Sequence, residues 1–206
     1  MRVAILSESA ADEAALRILV DAVLGVKTFP IEKPSVAMTS IHGVRKTLRT
    51  VIQVLHHKSD AEGLVVVVDS NHSSLEATTG ENRLREFGDL IAKTRAGLGA
   101  RSGRPALLIA HGVASPALEG WLLCKRDGQI TEAAWEKGLR DKREPYTKLA
   151  LKRRLLEADY TSSELRWQKM TEAATEVAAD IAHLETQFPN GFGSMARQLR
   201  EWRRLS

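Results

Sequence analysis

Three short apolar runs, Val3 to Leu6, Leu64 to Val68 and Ala106 to Ala110, interrupt a chain otherwise patterned for helix. None alternates with polar residues, and the middle one is β-branched throughout after its leucine. Continuous apolar runs of this length fit strands buried on both faces, as in a parallel sheet. Val26 to Ile31 reads as a further strand, closed off by Pro30 and Pro34. A first helix is predicted from about Ala10 to Leu24, with Ser9 as N-cap, Asp12 three residues later and Gly25 just beyond the end. A second covers Val44 to His57, with Val44, Leu48, Val51, Ile52 and Leu55 on one face, and a third runs from about Glu81 to Ala96. The resulting β-α-β-α-β-α-β order over residues 1–110 predicts an open, mostly parallel four-stranded α/β sheet with helices on both faces. After Ala110 the strand pattern stops. Segments 116–124, 131–142, 146–158, 162–187 and 193–204 read as helix, separated by Gly128, Pro145, Thr161 and Pro189-Asn190-Gly191. The expected division is an α/β domain over residues 1–125 and an all-helical extension over 126–206 packed on it.

Composition narrows the class. The 206 residues are 43% hydrophobic and 27% charged, the balance of a globular chain and not of a disordered one. No apolar run approaches the roughly 18 residues that a membrane helix needs. The apolar start Val3 to Leu6 is too short for a signal peptide, and Glu8, Asp12 and Glu13 follow at once, so a cytoplasmic protein is expected. The single cysteine, Cys124, excludes an intramolecular disulfide and a cysteine zinc cluster, and its neighbours Leu122 and Leu123 point to a buried thiol. Charge is unevenly placed. Residues 137–169 hold ten Lys/Arg against five acids, a local surplus larger than the whole chain's +4. Such a patch suits a polyanion, or it is a solvated helix face opposite an acidic surface.

In open parallel sheets the functional crevice lies at the carboxyl ends of the strands. The first strand is followed by Ser7-Glu8-Ser9 and then Asp12-Glu13, the third by Asp69-Ser70-Asn71-His72, and the fourth by His111-Gly112, with Glu119 on the next helix. Glu8, Asp12, Asp69 and Glu119 can thus converge, and clustered carboxylates repel one another unless a cation lies between them. Hard oxygen ligands in this number suit Mg²⁺ or Mn²⁺. Each acid also has a plainer reading. Asp12 and Glu13 suit the first turn of a helix, Glu119 suits a helix capped by Ser115 with Pro116 at its first position, and Asp69 suits a turn cap. The P-loop glycine-lysine motif, the dinucleotide-binding glycine motif and the nucleophile elbow of α/β-hydrolases are all absent. His56-His57 reads as a solvated helix end, while His72 and His111 lie at strand ends, where a histidine can bind phosphate or shuttle a proton. Aromatics are sparse (5%), which leaves no obvious base-stacking platform, so sequence-specific single-strand recognition is not expected.

A glutamate after the first strand (Glu8), with an acidic turn after the third (Asp69-Ser70-Asn71), resembles the TOPRIM domain of topoisomerases, primases and OLD-family nucleases. Asp12, four residues after Glu8, resembles the OLD-type variant. The stretch Ala117-Leu118-Glu119-Gly120-Trp121-Leu122-Leu123 resembles a signature of small stand-alone TOPRIM-like proteins, many of them paired with ABC-type ATPases in bacterial antiviral defence. The resemblance covers roughly residues 1–125 and implies a metal-dependent nuclease acting on nucleic acid. Glu8, Asp12, Asp69, Asn71 and Glu119 would hold Mg²⁺ or Mn²⁺, with Glu8 and Asp69 catalytic. Such relatives often carry a basic helix after the signature, and Lys148 in Pro145-Tyr146-Thr147-Lys148 is placed to supply its lysine. One departure is Asn71, where the pattern has a second acid; its amide oxygen can ligate a metal but brings no charge. Two other classes remain open: a non-catalytic nucleic-acid-binding or ATPase-docking adaptor, and a phosphotransferase or hydrolase acting on a small molecule.

Overall fold

The computed structural model describes residues 1–32, 41–71, 73–75, 82–101, 103–157 and 162–205. Four parallel strands form one sheet: β1 (Arg2–Leu6), β2 (Phe29–Pro30), β3 (Gly63–Asp69) and β4 (Leu108–Ala114), in the order β2-β1-β3-β4. Asp69 pairs with Ala114, so β3 and β4 end level, while Leu6, the last residue of β1, pairs with Val66, three residues short of that level. Every residue of β3 is buried, as its unbroken apolar run requires. β2 is shorter than Val26 to Ile31, and β4 begins and ends later than Ala106 to Ala110.

Alternation along the strands divides the core in two. Val3, Ile5, Val65, Val67, Ala110 and Ala114 face one way, and Ala4, Leu6, Leu64, Val66, Val68, Ile109 and Val113 face the other. The second face is covered by α2 (Ile41–Lys58), through the stripe Val44, Leu48, Val51, Ile52 and Leu55, and by α3 (Arg83–Ala96). The first is covered by α1 (Ala10–Leu24) together with helices from the C-terminal half. α1 starts as its sequence dictates: Ser9 Oγ accepts from the Asp12 N–H at 3.2 Å, and Gly25 closes the helix in the left-handed region (φ 67°).

After β4 the described residues form helices and no strand: α4 (Leu118–Leu123), α5 (Glu132–Arg140), α6 (Lys148–Leu156), α7 (Ser163–Ala178), α8 (Ile181–Gln187) and α9 (Phe192–Leu205). The expected single helix over 162–187 is two, because Asp180 caps a new start by accepting the His183 N–H at 3.1 Å. α7 lies along α1, while α9 lies on β4 and α1. Trp202 of α9 rests on Gly63 so closely that a Cβ there would stand 2.6 Å from the indole. Gln198 of α9 bonds both the N–H and the C=O of His111, each at 3.1 Å, and so occupies part of the sheet's open edge.

Candidate functional site

The strand order reverses between β1 and β3: the chain leaves β1 for β2 on one side and returns to β3 on the other. Ligands of open α/β sheets bind at the carboxyl ends of the strands flanking such a reversal. Glu8 lies just beyond β1 and Asp69 is the last residue of β3, so these two carboxylates flank the crevice. The Asp69 N–H donates to Glu8 Oε1 at 3.2 Å. Asp69 Oδ1 accepts the Leu118 N–H at 2.9 Å, which caps α4 from another strand, because Ala117 at its N-cap has no side-chain acceptor. Ser115 and Pro116 are therefore not the N-cap and first helical residue, and Asp69 does more than cap its own turn.

The helical extension supplies the balancing charge. Lys148, the first residue of α6, forms an ion pair with Asp69 Oδ2, and its Nζ lies 3.8 Å from Glu8 Oε2. Arg166, in the first turn of α7, donates from Nη2 to Asp12 Oδ1 at 3.1 Å and lies 4.0 Å from Glu119 Oε1. Asp12 (7% exposed), Asp69 (8%) and Glu119 (3%) are all buried. Burial raises the Glu8 carboxyl above its ordinary range, the Asp69 charge adds to this, and Lys148 only partly offsets the two. Burial likewise raises Asp12 in spite of Arg166. Glu119 is pushed up to about 7, first by burial and then by Asp69, against the pull of Lys152. Burial alone would lower the Lys148 ammonium, but its attraction to Asp69 and Glu8 outweighs that and raises it.

Five of the sequence-expected residues thus come together: Glu8, Asp12, Asp69, Glu119 and Lys148. Asn71 has a left-handed backbone (φ 52°), with its N–H bonded to Pro116 O at 2.9 Å, and lines a cavity beside the cluster together with Lys148. His72 lies outside the described residues, as do Pro34, Glu81 and Thr161. His111 is not at a strand end: β4 continues through Ala114, and His111 Nδ1 is 3.1 Å from Gln198 Oε1. His56 is buried, with Nε2 3.0 Å from Gly99 O, while His57 is exposed as expected. Cys124 is the buried thiol its neighbours implied; it donates to Trp121 O, and burial raises it to about 11. From the sequence, Arg166 counted only as charge, and Lys152 as one of the basic residues of 142–154 that could serve in place of Lys148. Sequence reasoning missed Glu132 and Glu136, buried acids that fasten the loops around the site.

Among the described residues, no group of three or more His, Cys, Asp or Glu is arranged as a metal centre. The donor chemistry nevertheless fits a hard divalent cation, because the ligands on offer are carboxylate oxygens, and a cation would offset the burial that chiefly raises Glu8 and Glu119 and the repulsion from Asp69 that adds to it. Fold and site together define a class: an open parallel α/β sheet whose carboxyl edge gathers four acids under cations from a helical extension. No protein-family model, curated protein or solved structure matches the chain. Among the described residues no helix is long and apolar enough to cross a membrane.

Proposed function

We propose that this protein is a metal-dependent nuclease of TOPRIM-like type, hydrolysing phosphodiesters of nucleic acid. The observation that carries the reading is the convergence of Glu8, Asp69 and Lys148 at the β1/β3 reversal, with Asp12 and Glu119 beside them. Glu8, Asp12, Asp69 and Glu119 would hold one or two Mg²⁺ or Mn²⁺, with Asn71 as a neutral oxygen donor at the edge of the set. The bound metal supplies an activated water and charge neutralisation at the phosphoryl oxygens. Lys148 exchanges its carboxylate partners for a phosphoryl oxygen and steadies the negative charge that develops there. Arg166 has a buried Nε–H without a partner among the described residues, a second donor for the same anion. α1, α6 and α7 all begin at this edge, so their positive ends add to the attraction for phosphate. The exposed Lys137, Lys142 and Arg143 extend the basic surface along which a backbone would lie. The sequence resemblance supports an ABC-type ATPase as partner, a cytoplasmic setting and a role in antiviral defence.

A second reading, a non-catalytic nucleic-acid-binding or ATPase-docking adaptor, is favoured by two observations. Lys148 and Arg166 already balance the carboxylates, and an amide, Asn71, stands in the acidic turn. Calorimetric titration of Mg²⁺ and Mn²⁺ into the wild type and Glu8→Gln separates the two. The nuclease reading expects millimolar or tighter binding that the variant loses, and DNA or RNA cleavage abolished by Glu8→Gln and by Asp69→Asn with the circular-dichroism spectrum unchanged. No heat and no cleavage, with salt-sensitive nucleic-acid binding retained, selects the adaptor.

A further inference from the structure

The chain's net positive charge sits on the layer of helices opposite the extension. Residues 41–58 and 82–104, which carry α2, α3 and the loop after α3, hold ten Lys/Arg against two acids, a surplus larger than the whole chain's +4. α2 alone has four Lys/Arg and no acid. Its exposed stripe is His42, Arg45, Lys46, Arg49, Gln53 and His57, on the side away from Val44, Leu48, Val51, Ile52 and Leu55. At about 1.5 Å of rise per residue the stripe is roughly 22 Å long. Both helices lead from the carboxyl end of one parallel strand to the start of the next, so they run side by side from the edge that carries Asp69 to the opposite edge. Three cavities follow them in that order. The first, about 530 Å³, is lined by Arg45, by Arg83 and by Ser73, which follows Asp69 by four residues. The second, about 280 Å³, is lined by Arg49 and Lys93. The third, about 430 Å³, is lined by His57, Lys58, Arg101 and Arg104.

Two facts separate this face from the basic surface of the extension. There, Lys148, Arg154, Arg166 and Lys169 all have carboxylate partners. Here, Arg45 pairs with Glu86 at 2.7 Å, but Lys46, Arg49, Lys58, Lys93 and Arg95 form no ion pair among the described residues. The second fact is what the face lacks. Val26, Phe29, Leu149, Leu165 and Trp167 are the large apolar side chains exposed among the described residues, and none lies on α2 or α3. A membrane-surface helix buries such side chains, and protein interfaces centre on them. A ligand held by unpaired cations alone is a polyanion. We propose that the α2–α3 face binds duplex nucleic acid through its phosphate backbone and leads it toward the carboxylate edge. The inference rests on the nucleic-acid reading above and deepens it by naming the grip and the duplex class. A duplex keeps its bases inside and offers one charge per about 1.7 Å of axis, so cations without aromatics suffice to hold it. A single strand is gripped by stacking as well as by charge, and α2 and α3 expose no Phe, Tyr or Trp.

The test follows a fluorescent duplex of about 20 base pairs, made as DNA and as RNA, by anisotropy with the full chain in chelator, so that neither metal nor turnover enters. The double variants Lys46→Gln/Arg49→Gln and Lys93→Gln/Arg95→Gln alter exposed positions of two different helices. Both are expected to keep the wild-type circular dichroism and urea midpoint, since Gln is as good a helix former as Lys or Arg. Each is expected to weaken duplex binding by about tenfold or more at about 0.1 M salt, and to flatten the slope of log affinity against log salt by about two. A single strand of the same length is expected to bind the wild type more weakly. Unchanged affinity and slope in either double variant overturn the inference, as does equal or tighter binding of the single strand. Variants that lose binding to phosphatidylserine vesicles but not to duplex also overturn it, in favour of a membrane surface. Cleavage by the wild type in Mg²⁺, with duplex binding unchanged in the variants, defeats this inference alone. Variant-sensitive duplex binding by a protein that neither binds metal nor cleaves defeats the nuclease reading alone.

Discussion

Glu119 shows what it costs to gather carboxylates at the end of a sheet. It is 3% exposed, and its proton affinity is lifted from the ordinary 4.5 to about 7, by loss of water first and by Asp69 second. The folded protein therefore holds that proton more tightly than the unfolded chain does, so the contribution to stability is full below the ordinary value and is lost as pH rises toward the folded one. In chelator, the unfolding free energy is expected to fall between about pH 4.5 and 7, with Glu119 accounting for roughly 3 kcal/mol at most. Glu8 and Asp12, also raised, act in the same direction. Urea titrations across that window, on wild type and Glu119→Gln, isolate the Glu119 share: the variant's slope should be shallower, and equal slopes would show that this carboxyl titrates normally. Asn71 provides the converse test. Its left-handed backbone (φ 52°) suits aspartate as well as asparagine. Asn71→Asp adds a charged oxygen at the edge of the site and should tighten Mg²⁺ binding by about tenfold in calorimetry, since affinity follows ligand charge.

At the scale of elements, α5 holds the loops around the site in place through two buried acids. Glu136 accepts from Ser74 Oγ at 2.6 Å and from the Leu75 N–H at 2.5 Å, pinning the loop that follows β3. Glu132 accepts the Gly191 N–H at 2.8 Å at the turn before α9. Glu136→Ala leaves a buried N–H unsatisfied and should cost about 1–3 kcal/mol in urea unfolding, with faster amide exchange at Ser74 and Leu75 as the local signature. Neither acid was singled out in the sequence, where residues 131–142 read only as helix. What was legible is local. Apolar runs marked β1, β3 and β4, Ser9 and Gly25 marked the ends of α1, and the strand-end acids marked the crevice. Local signals also misled. His111-Gly112 read as the end of β4, although Gln198 satisfies that edge and the strand runs on to Ala114. Ser115-Pro116 read as a helix start, which Asp69 provides instead. Of the site's cations, Lys148 was reached only through the family resemblance and Arg166 not at all as a site residue, since Lys148 is 79 residues from Asp69 and Arg166 is 154 from Asp12. No spacing rule spans such distances.

For the whole molecule, the question is whether residues 1–125, which the sequence pattern marks as an α/β domain with the extension packed on it, could stand alone. One face of the sheet argues against it. Val3, Ile5, Val65, Val67, Ala110 and Ala114 share a cluster not only with α1 but with Met170, Val177, Phe188, Phe192, Met195, Leu199 and Trp202 of the extension. A fully buried side chain of this size contributes about 1.5–3 kcal/mol, against a typical net stability of about 5–15 kcal/mol for a domain. Removing residues 126–206 takes away these seven and four more large side chains of the cluster, Ile130, Leu151, Leu155 and Leu184, and uncovers the strands beneath them, a loss as large as the whole margin. A 1–125 fragment is therefore expected to bind a hydrophobic dye, to be digested rapidly by protease and to show no cooperative thermal transition. A sharp transition with native-like near-ultraviolet dichroism would instead show that α1, α2 and α3 suffice. The same cut removes Lys148, Lys152 and Arg166, leaving Glu8, Asp12, Asp69 and Glu119 without the cations that face them. The extension thus completes the core and the charge balance of the site at once, so folding and function are expected to fail together when it is removed.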